Sequence, residues 1–376
     1  MFNPLTPPKK TLQSSILLIF WAMSIFNSII IRDTSAKPGP RIHTEFTESG
    51  GNNLSASRPD TANWKINYDT VFKENGEPVN WYVNNLIQQL VSVNGLGAPV
   101  TKEELESLIL NLHDQNIYIH QLVKYATPRS RKIQNNAHYS YSERLMNEER
   151  LQAGLCFLIE HESILKQVHT EYGVHPKDIL GILMWESALG KYTGDYRIFN
   201  VFMGQILYLH KAEKLALAEL KKAGETPDYQ KNSHSKRLAR IRKNAVTNLA
   251  ALLRICKEVD INPLDFYGSW GGAIGFVQFM PASLTYAVDG DGDGIINLYD
   301  WPDAIFSVAN YLKRSGYSET WRSRKRAIFA YNRLDSYVNG VINYADAVWK
   351  RFEDSGGFEK KRKNDEDLTE KQAIIR

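Results

Sequence analysis

Apolar residues in this chain recur at three- and four-residue spacing in block after block, the period of a helix with one buried face. The first block begins at Trp81 and carries Leu86, Leu90 and Val91. A second opens at Pro99-Val100-Thr101-Lys102-Glu103-Glu104, where Thr101 is placed to cap and Glu104 to complete a capping box. Together these predict a small N-terminal helical domain over residues 77–135. A long helical pattern follows from Ser142 to Tyr172, another from His175 to Gly190, and an apolar run over residues 196–209. Further on come a helix starting near Pro302, through Val308, Tyr311 and Leu312, and a last block from Ala327 to Trp349. The expected fold class is mainly α. The tail over residues 353–376 is dense in charge and is expected to be disordered.

The stretch from His175 to Gly190 differs from the others. Ile179, Leu180, Ile182, Leu183, Met184 and Trp185 make it apolar on every side, the mark of a helix surrounded by protein. Pro176 suits a first helical position, and Gly190 suits a left-handed C-terminal one. The ionisable group within the run is Glu186. It follows Leu183, Ile182 and Ile179 by three, four and seven residues and so shares their face. A carboxylate there is costly unless hydrogen-bonded, paired or protonated. Burial raises an acid's pKa, and a carboxyl near neutrality can both give and take a proton. Glu186 is therefore either a general acid/base or a structural group bonded to nearby backbone.

Composition adjusts this picture. At 376 residues, with 43% hydrophobic and 11% aromatic content, the chain can bury one large or two ordinary domains. A formal net charge of +4 is too mild to point to nucleic acid. Cys156 and Cys256 are the two cysteines, too few for a disulfide scaffold, and their spacing leaves a single bridge open. Lys9 and Lys10 precede an apolar core from Ile16 to Ile31, followed by the small residues Thr34-Ser35-Ala36. Residues 1–36 are expected to be an export signal, or a signal-anchor if not cleaved, and residues 37–76 a linker. The basic stretch from Lys211 to Lys243 is expected to be a solvated helical hairpin, with contact to an anionic polymer as the alternative.

Two loops carry further chemistry. Tyr267-Gly268-Ser269-Trp270-Gly271-Gly272-Ala273-Ile274-Gly275 leads into Phe276-Val277-Gln278-Phe279-Met280-Pro281. Its glycines allow close backbone approach to a ligand, with Gln278 offering an amide in an aromatic wall; a plain loop before a helix at Pro281 is the alternative. Asp289-Gly290-Asp291-Gly292-Asp293-Gly294-Ile295 sets carboxylates at positions 1, 3 and 5, glycine at 6 and a carbonyl at 7, the spacing of an EF-hand-like calcium loop. Position 12 is Asp300 instead of the usual Glu, and Asp303 is the alternative closing ligand. Other motifs fail: His161-Glu162 lacks the second histidine of a zinc helix, Gly190-Lys191 lacks a phosphate-loop context, and no nucleophile elbow is present.

The three stretches around Glu186, the glycine-rich loop and the aspartate loop, in this order, resemble the membrane-bound lytic transglycosylase B family, which cleaves bacterial peptidoglycan. The likeness spans roughly residues 76–350. It includes Gly190-Lys191-Tyr192-Thr193-Gly194 after Glu186, Asp303-Ala304-Ile305, Ser307-Val308-Ala309-Asn310-Tyr311, and Tyr331-Asn332 with Tyr337. Val277 stands where the family commonly has glycine. The resemblance implies a goose-lysozyme-like helical core over residues 136–352 with a glycan groove, located in the periplasm or envelope of a Gram-negative-type bacterium. It implies Glu186 as sole acid/base and Ser269, Gln278, Tyr311, Tyr331, Asn332 and Tyr337 as substrate-binding. It implies structural Ca2+ held by Asp289, Asp291, Asp293, Ile295 and Asp303. The expected partner is peptidoglycan, with a membrane surface as a further one. The expected reaction needs one carboxylate, because the sugar's own 6-hydroxyl replaces water and closes a 1,6-anhydro ring. A goose-type muramidase, and a non-catalytic calcium-dependent wall-binding module, are the competing readings.

Overall fold

The computed structural model describes residues 42–43, 80–92, 99–110, 112, 117–225 and 231–358. The expected export signal, most of the expected linker and the charged tail past residue 358 lie outside the described residues. The chain is mainly helical. A short strand β1 (Ile42–His43) precedes α1 (Asn80–Ser92), α2 (Lys102–Ile109), α3 (Ile119–Ala126) and α4 (Ser130–Leu145). Next come α5 (Glu148–Glu160), α6 (Glu162–Tyr172), α7 (Pro176–Ser187), β2 (Tyr196–Arg197), α8 (Ile198–Leu207), α9 (Leu209–Lys222) and α10 (Lys231–Glu258). β3 (Tyr267–Gly268), β4 (Ile295–Ile296), α11 (Trp301–Arg314), α12 (Trp321–Tyr331) and α13 (Asp335–Asp354) complete it. The strands form two antiparallel ribbons, β1 on β4 and β2 on β3.

Local chemistry explains the boundaries. The capping box forms as the sequence predicts: Glu104 N–H donates to Thr101 Oγ1 at 3.2 Å, and Thr101 N–H donates back to Glu104 Oε2 at 2.6 Å. The expected single block from Ser142 to Tyr172 is instead cut twice. Asn147 caps α5 by accepting from Arg150 N–H at 2.9 Å, and His161 separates α5 from α6. Both cuts leave the apolar period nearly in phase, which is why the pattern ran through them. The expected block from Ala327 to Trp349 is likewise two helices, parted at Asn332, which accepts from Leu334 N–H at 2.8 Å.

A large core runs through most of the described helices. Leu86 and Leu90 of α1 and Leu105 and Ile109 of α2 join the same cluster as Ile179, Ile182 and Leu183 of α7. A smaller cluster sets Leu122, Val123 and Ala126 of α3 against Leu209, Ala212 and Ala216 of α9 and Leu238 and Ile241 of α10. In the basic stretch, Lys211, Lys214, Lys221, Lys222, Lys236, Arg240 and Lys243 are exposed. Arg237 and Arg242 turn inward and donate to the carbonyls of Tyr125 and Ile206. Both cysteines are free, Cys156 exposed and Cys256 buried. Among the described residues no helix is long and apolar enough to cross a membrane.

Helix α7 sits at the centre, packed most extensively on α13. Glycines set that distance: a Cβ at Gly181 would lie 2.8 Å from the Val341 carbonyl, and one at Gly340 would lie 2.1 Å from the Trp185 ring. The N-terminal end of α7 is held by charge. Asp178 is fully buried and receives Arg324 Nε at 2.8 Å and the Tyr317 hydroxyl at 2.5 Å. Arg324 is only 6% exposed, and it turns its other face to Asp346, with bonds of 2.9 and 3.1 Å. Lys177 reaches Asp346 at 3.2 Å. This network locks α7, α12, α13 and the loop between α11 and α12 together at the end opposite Glu186.

Candidate active site

Glu186 lies in the last turn of α7. Ile179, Ile182 and Leu183 on its face are fully buried, whereas Glu186 keeps partial exposure. Burial pushes its carboxyl up to about 7, against a lowering pull from Tyr337, whose hydroxyl donates to Oε1 at 2.7 Å. Tyr337 is itself fully buried and stacks edge-on against Trp185 at 5.1 Å, so it stands behind the acid and not along an open wall. On the other side of Trp185, Tyr141 packs edge-on at 4.9 Å and donates to the Met184 carbonyl at 3.4 Å.

The helix ends abruptly after the acid. Ala188, Leu189 and Gly190 all have positive φ, at 49°, 54° and 78°. The sequence predicts that turn at Gly190 alone. For Ala188 and Leu189 the left-handed conformation costs on the order of 1 kcal/mol each, and it persists because the surroundings hold it. Ser187 supplies part of that hold: its hydroxyl donates to the Leu183 carbonyl at 3.3 Å and accepts from Gly190 N–H at 2.9 Å.

An aromatic group faces the carboxylate. Tyr311 lies 4.7 Å from Tyr331 and 4.6 Å from Tyr286, ring centre to ring centre, with Phe279 beneath Tyr311 at 5.6 Å and Tyr331 at 5.7 Å. Hydroxyls fix the rings: Tyr311 donates to the Ala330 carbonyl at 2.8 Å, and Tyr331 to the Val277 carbonyl at 2.6 Å. Burial, and then the Glu186 charge, push the Tyr331 and Tyr337 hydroxyls well above their ordinary value. Thus Tyr311, Tyr331 and Tyr337 gather around Glu186. Val277 serves there through its carbonyl, which any residue could offer.

Gln278 adopts a positive φ of 51°, and its amide nitrogen donates to the Gly275 carbonyl at 2.8 Å and the Thr193 carbonyl at 3.3 Å. It thereby ties the glycine-rich loop to the segment after α7. Ser269 accepts from Ala273 N–H at 3.0 Å and stays partly exposed. Asn332 caps α12 and is partly exposed. The glycines turn out to admit protein instead of ligand. A Cβ at Gly268 would lie 2.2 Å from the Ala273 carbonyl, one at Gly272 2.4 Å from Phe202, and one at Gly275 2.5 Å from Leu298. Only Gly271 opens outward, with nothing closer than 3.8 Å.

In the aspartate loop, carboxyl oxygens of Asp289, Asp291 and Asp303 lie within 4.8 Å of one another. Asp289 accepts from Gly292 and Gly294 N–H, and Asp293 from Ile295 N–H, all at 2.7–2.8 Å. Asp293 stands outside the group of three, and Ile295 belongs to β4, paired with His43. Asp303 is 2% exposed and accepts from Gly290 N–H at 2.7 Å. Burial pushes it up to about 6, with Asp291 and Asp289 adding repulsion. Asp300 is spent on the cap of α11, accepting from Trp301 N–H at 2.7 Å. Three convergent hard oxygens without an ion pair among the described residues fit a divalent cation of the calcium type.

No sequence pattern announces the Asp178–Arg324–Asp346 network. Asp178 is a second acid at the edge of the same apolar run, but its partner is 146 residues away and its spacing to Arg324 carries no periodic signal. Thr193 acts only through its carbonyl, a role no side chain advertises.

The family described as Transglycosylase SLT domain matches residues 83–333, well over half of the chain. Over 208 residues the chain is 33% identical to the membrane-bound lytic murein transglycosylase B of Escherichia coli (strain K12). That match covers 55% of this chain and 48% of the relative, so the chain spans about half the length of that protein. The fold is similar to the Escherichia coli lytic transglycosylase Slt35 solved in complex with calcium, with a TM-score of 0.50 and 21% identity over 72% of this chain and 93% of that one. It is also similar to a 36 kDa muramidase/transglycosylase, with a TM-score of 0.52 and 20% identity over 76% and 98% of the two chains. The helical architecture is thus that of the lytic transglycosylases, and the chain belongs to the transglycosylase SLT domain family.

Proposed function

We propose that this chain is a lytic transglycosylase that cleaves the β-1,4 bond between MurNAc and GlcNAc in peptidoglycan, with Glu186 as the sole general acid/base. The observation that carries the reading is the Glu186 carboxyl, pushed up to about 7 by burial at the end of an apolar helix and hydrogen-bonded by Tyr337, with no salt-bridge partner among the described residues. Hydrolysis of such a bond normally uses two carboxyl groups, roughly 5–9.5 Å apart. One group suffices when the sugar's 6-hydroxyl is the nucleophile. Protonated Glu186 gives its proton to the leaving glycosidic oxygen. The resulting carboxylate then accepts the 6-hydroxyl proton as that oxygen bonds to the anomeric carbon, leaving a 1,6-anhydro end and a restored acid. Ser269, Gln278, Tyr311, Tyr331 and Asn332 line the path of the strand, while Tyr337 steadies the acid. Purified sacculi test the reading: the protein is expected to release soluble muropeptides, and no release would end it.

Proton delivery needs the protonated acid, so kcat/KM is expected to fall as pH rises through about 7. The Tyr337 hydroxyl favours the carboxylate. Tyr337→Phe should therefore move that fall to higher pH with the fold intact, as a pH–rate profile would show. An unmoved profile would remove Tyr337 from the role given to it.

The support for calcium is the convergence of Asp289, Asp291 and Asp303 and the calcium complex of Slt35. Asp293 and the Ile295 carbonyl complete the proposed shell. The ion's role is structural, since the acid needs no metal. Binding to the native state alone raises stability with the logarithm of ion concentration. Melting temperature is expected to rise with calcium and fall with chelator, and Asp303→Ala should lose this response while Asp300→Ala keeps it. The reverse pattern would reassign the closing ligand. The site of action is the bacterial envelope, the place where the substrate lies.

A further inference from the structure

The β2–β3 ribbon carries polar and aromatic groups that the chemistry at Glu186 does not use. Tyr267 is 39% exposed, one of the few large rings left open to solvent. Beside it, Arg197 is exposed and directs Nε onto the Tyr267 hydroxyl at 3.2 Å, with the guanidinium carbon 5.9 Å from the ring centre. The Nε bond is the hydrogen bond seen for this guanidinium among the described residues, and Asp265 contributes a favourable charge nearby without a direct ion pair. The ribbon beneath is held firmly. Arg197 N–H donates to the Tyr118 hydroxyl at 2.9 Å, and the Tyr299 hydroxyl donates to the Tyr267 carbonyl at 2.9 Å.

The ribbon is also continuous with the candidate groove. Tyr267 passes through Gly268 directly into Ser269, and Arg197 follows by four residues Thr193, whose carbonyl receives Gln278. Gly194 and Gly268 clamp the two strands' approaches together, a Cβ at Gly194 lying 2.3 Å from the Gly268 carbonyl. Arg197 pairs with Tyr267 across the ribbon, so the two stand side by side next to Gly268 and Ser269. An exposed ring suits the apolar face of a pyranose, and an open guanidinium fork suits a carboxylate in bidentate contact.

We propose that the β2–β3 ribbon extends the groove as a further subsite, with Tyr267 stacking on one sugar and Arg197 taking a carboxylate of the peptide attached to the glycan. This rests on peptidoglycan being the substrate. The ribbon would then let the enzyme tell peptide-bearing strands from bare ones, which the rings around Glu186 cannot do by charge.

The test measures binding, by calorimetry, of soluble glycan strands to the non-cleaving Glu186→Gln protein. Strands carrying their peptides are compared with the same strands stripped by an amidase. Arg197→Gln is expected to weaken binding of peptide-bearing strands about tenfold and of stripped strands less than twofold. Tyr267→Ala should weaken both about tenfold. Thermal melting shows that each variant is folded, and Tyr267→Phe, which keeps the ring, should retain binding of stripped strands. If folded Arg197→Gln binds both strands like its parent, or loses both equally, the subsite is wrong although cleavage by the native enzyme stands. If the native enzyme neither binds nor cleaves peptidoglycan, the functional reading fails and this inference with it.

Discussion

Glu186→Gln is expected to abolish glycan cleavage while leaving the fold and strand binding intact. Glutamine keeps the volume and an oxygen that can accept from the Tyr337 hydroxyl at 2.7 Å, but it cannot give or take the proton. General acid–base assistance is worth about 10²–10⁴ in rate, and here one group serves both halves of the reaction. The same substitution has a stability consequence of known sign. The folded-state carboxyl sits near 7 and the free one near 4.5, so the unfolded chain releases its proton first as pH rises. Native stability is therefore lost between about 4.5 and 7. Removing the charge should make Glu186→Gln more stable than the parent at pH 8, by on the order of 1–3 kcal/mol. Activity within tenfold of wild type would move the acid elsewhere, with the exposed Asp195 and Glu258 next to be tested.

The largest loss of stability is expected at Arg324. Arg324→Met keeps much of the stem but leaves Asp178 fully buried with only the Tyr317 hydroxyl as partner. Removing one member of a buried pair typically costs about 3–5 kcal/mol, because the other charge is stranded. The expected fall in melting temperature is on the order of 10 °C. Asp178→Asn in the same protein removes the stranded charge and still accepts from Tyr317, so the double variant should recover part of the loss. A single variant melting within about 2 °C of wild type would show that the network contributes little. The expected effect on catalysis is indirect, since α7 carries Asp178 at one end and Glu186 at the other.

What the sequence disclosed and what it withheld follow one physical division. Glu186 was conspicuous because a single acid on an otherwise apolar helical face is energetically odd wherever it occurs. The aspartate loop was conspicuous because its carboxylates and glycine fall at the spacing of a calcium loop, and the cap at Thr101 because a capping box is confined to four residues. Each is a local pattern. The breaks at Asn147 and His161 were hidden because they barely disturb the apolar period. The burial of Tyr337 behind Glu186, 151 residues apart, depends on how α13 packs on α7, which is set by Gly181 and Gly340. The glycine-rich loop misled in a different way. Its residues invited a ligand, yet Gly268, Gly272 and Gly275 are closed by the chain's own Ala273, Phe202 and Leu298. Conformational freedom is legible in a sequence, but what fills the space is not.

In the proposed reaction one carboxyl does the chemistry and water takes no part. Mass analysis of muropeptides released from purified peptidoglycan addresses it directly. The expected products are fragments ending in 1,6-anhydroMurNAc, each lighter by one water than its lysozyme counterpart and unable to be reduced by borohydride. Fragments with free, reducible ends would contradict it, since they require a water molecule as nucleophile and a group other than the sugar's own hydroxyl to face Glu186.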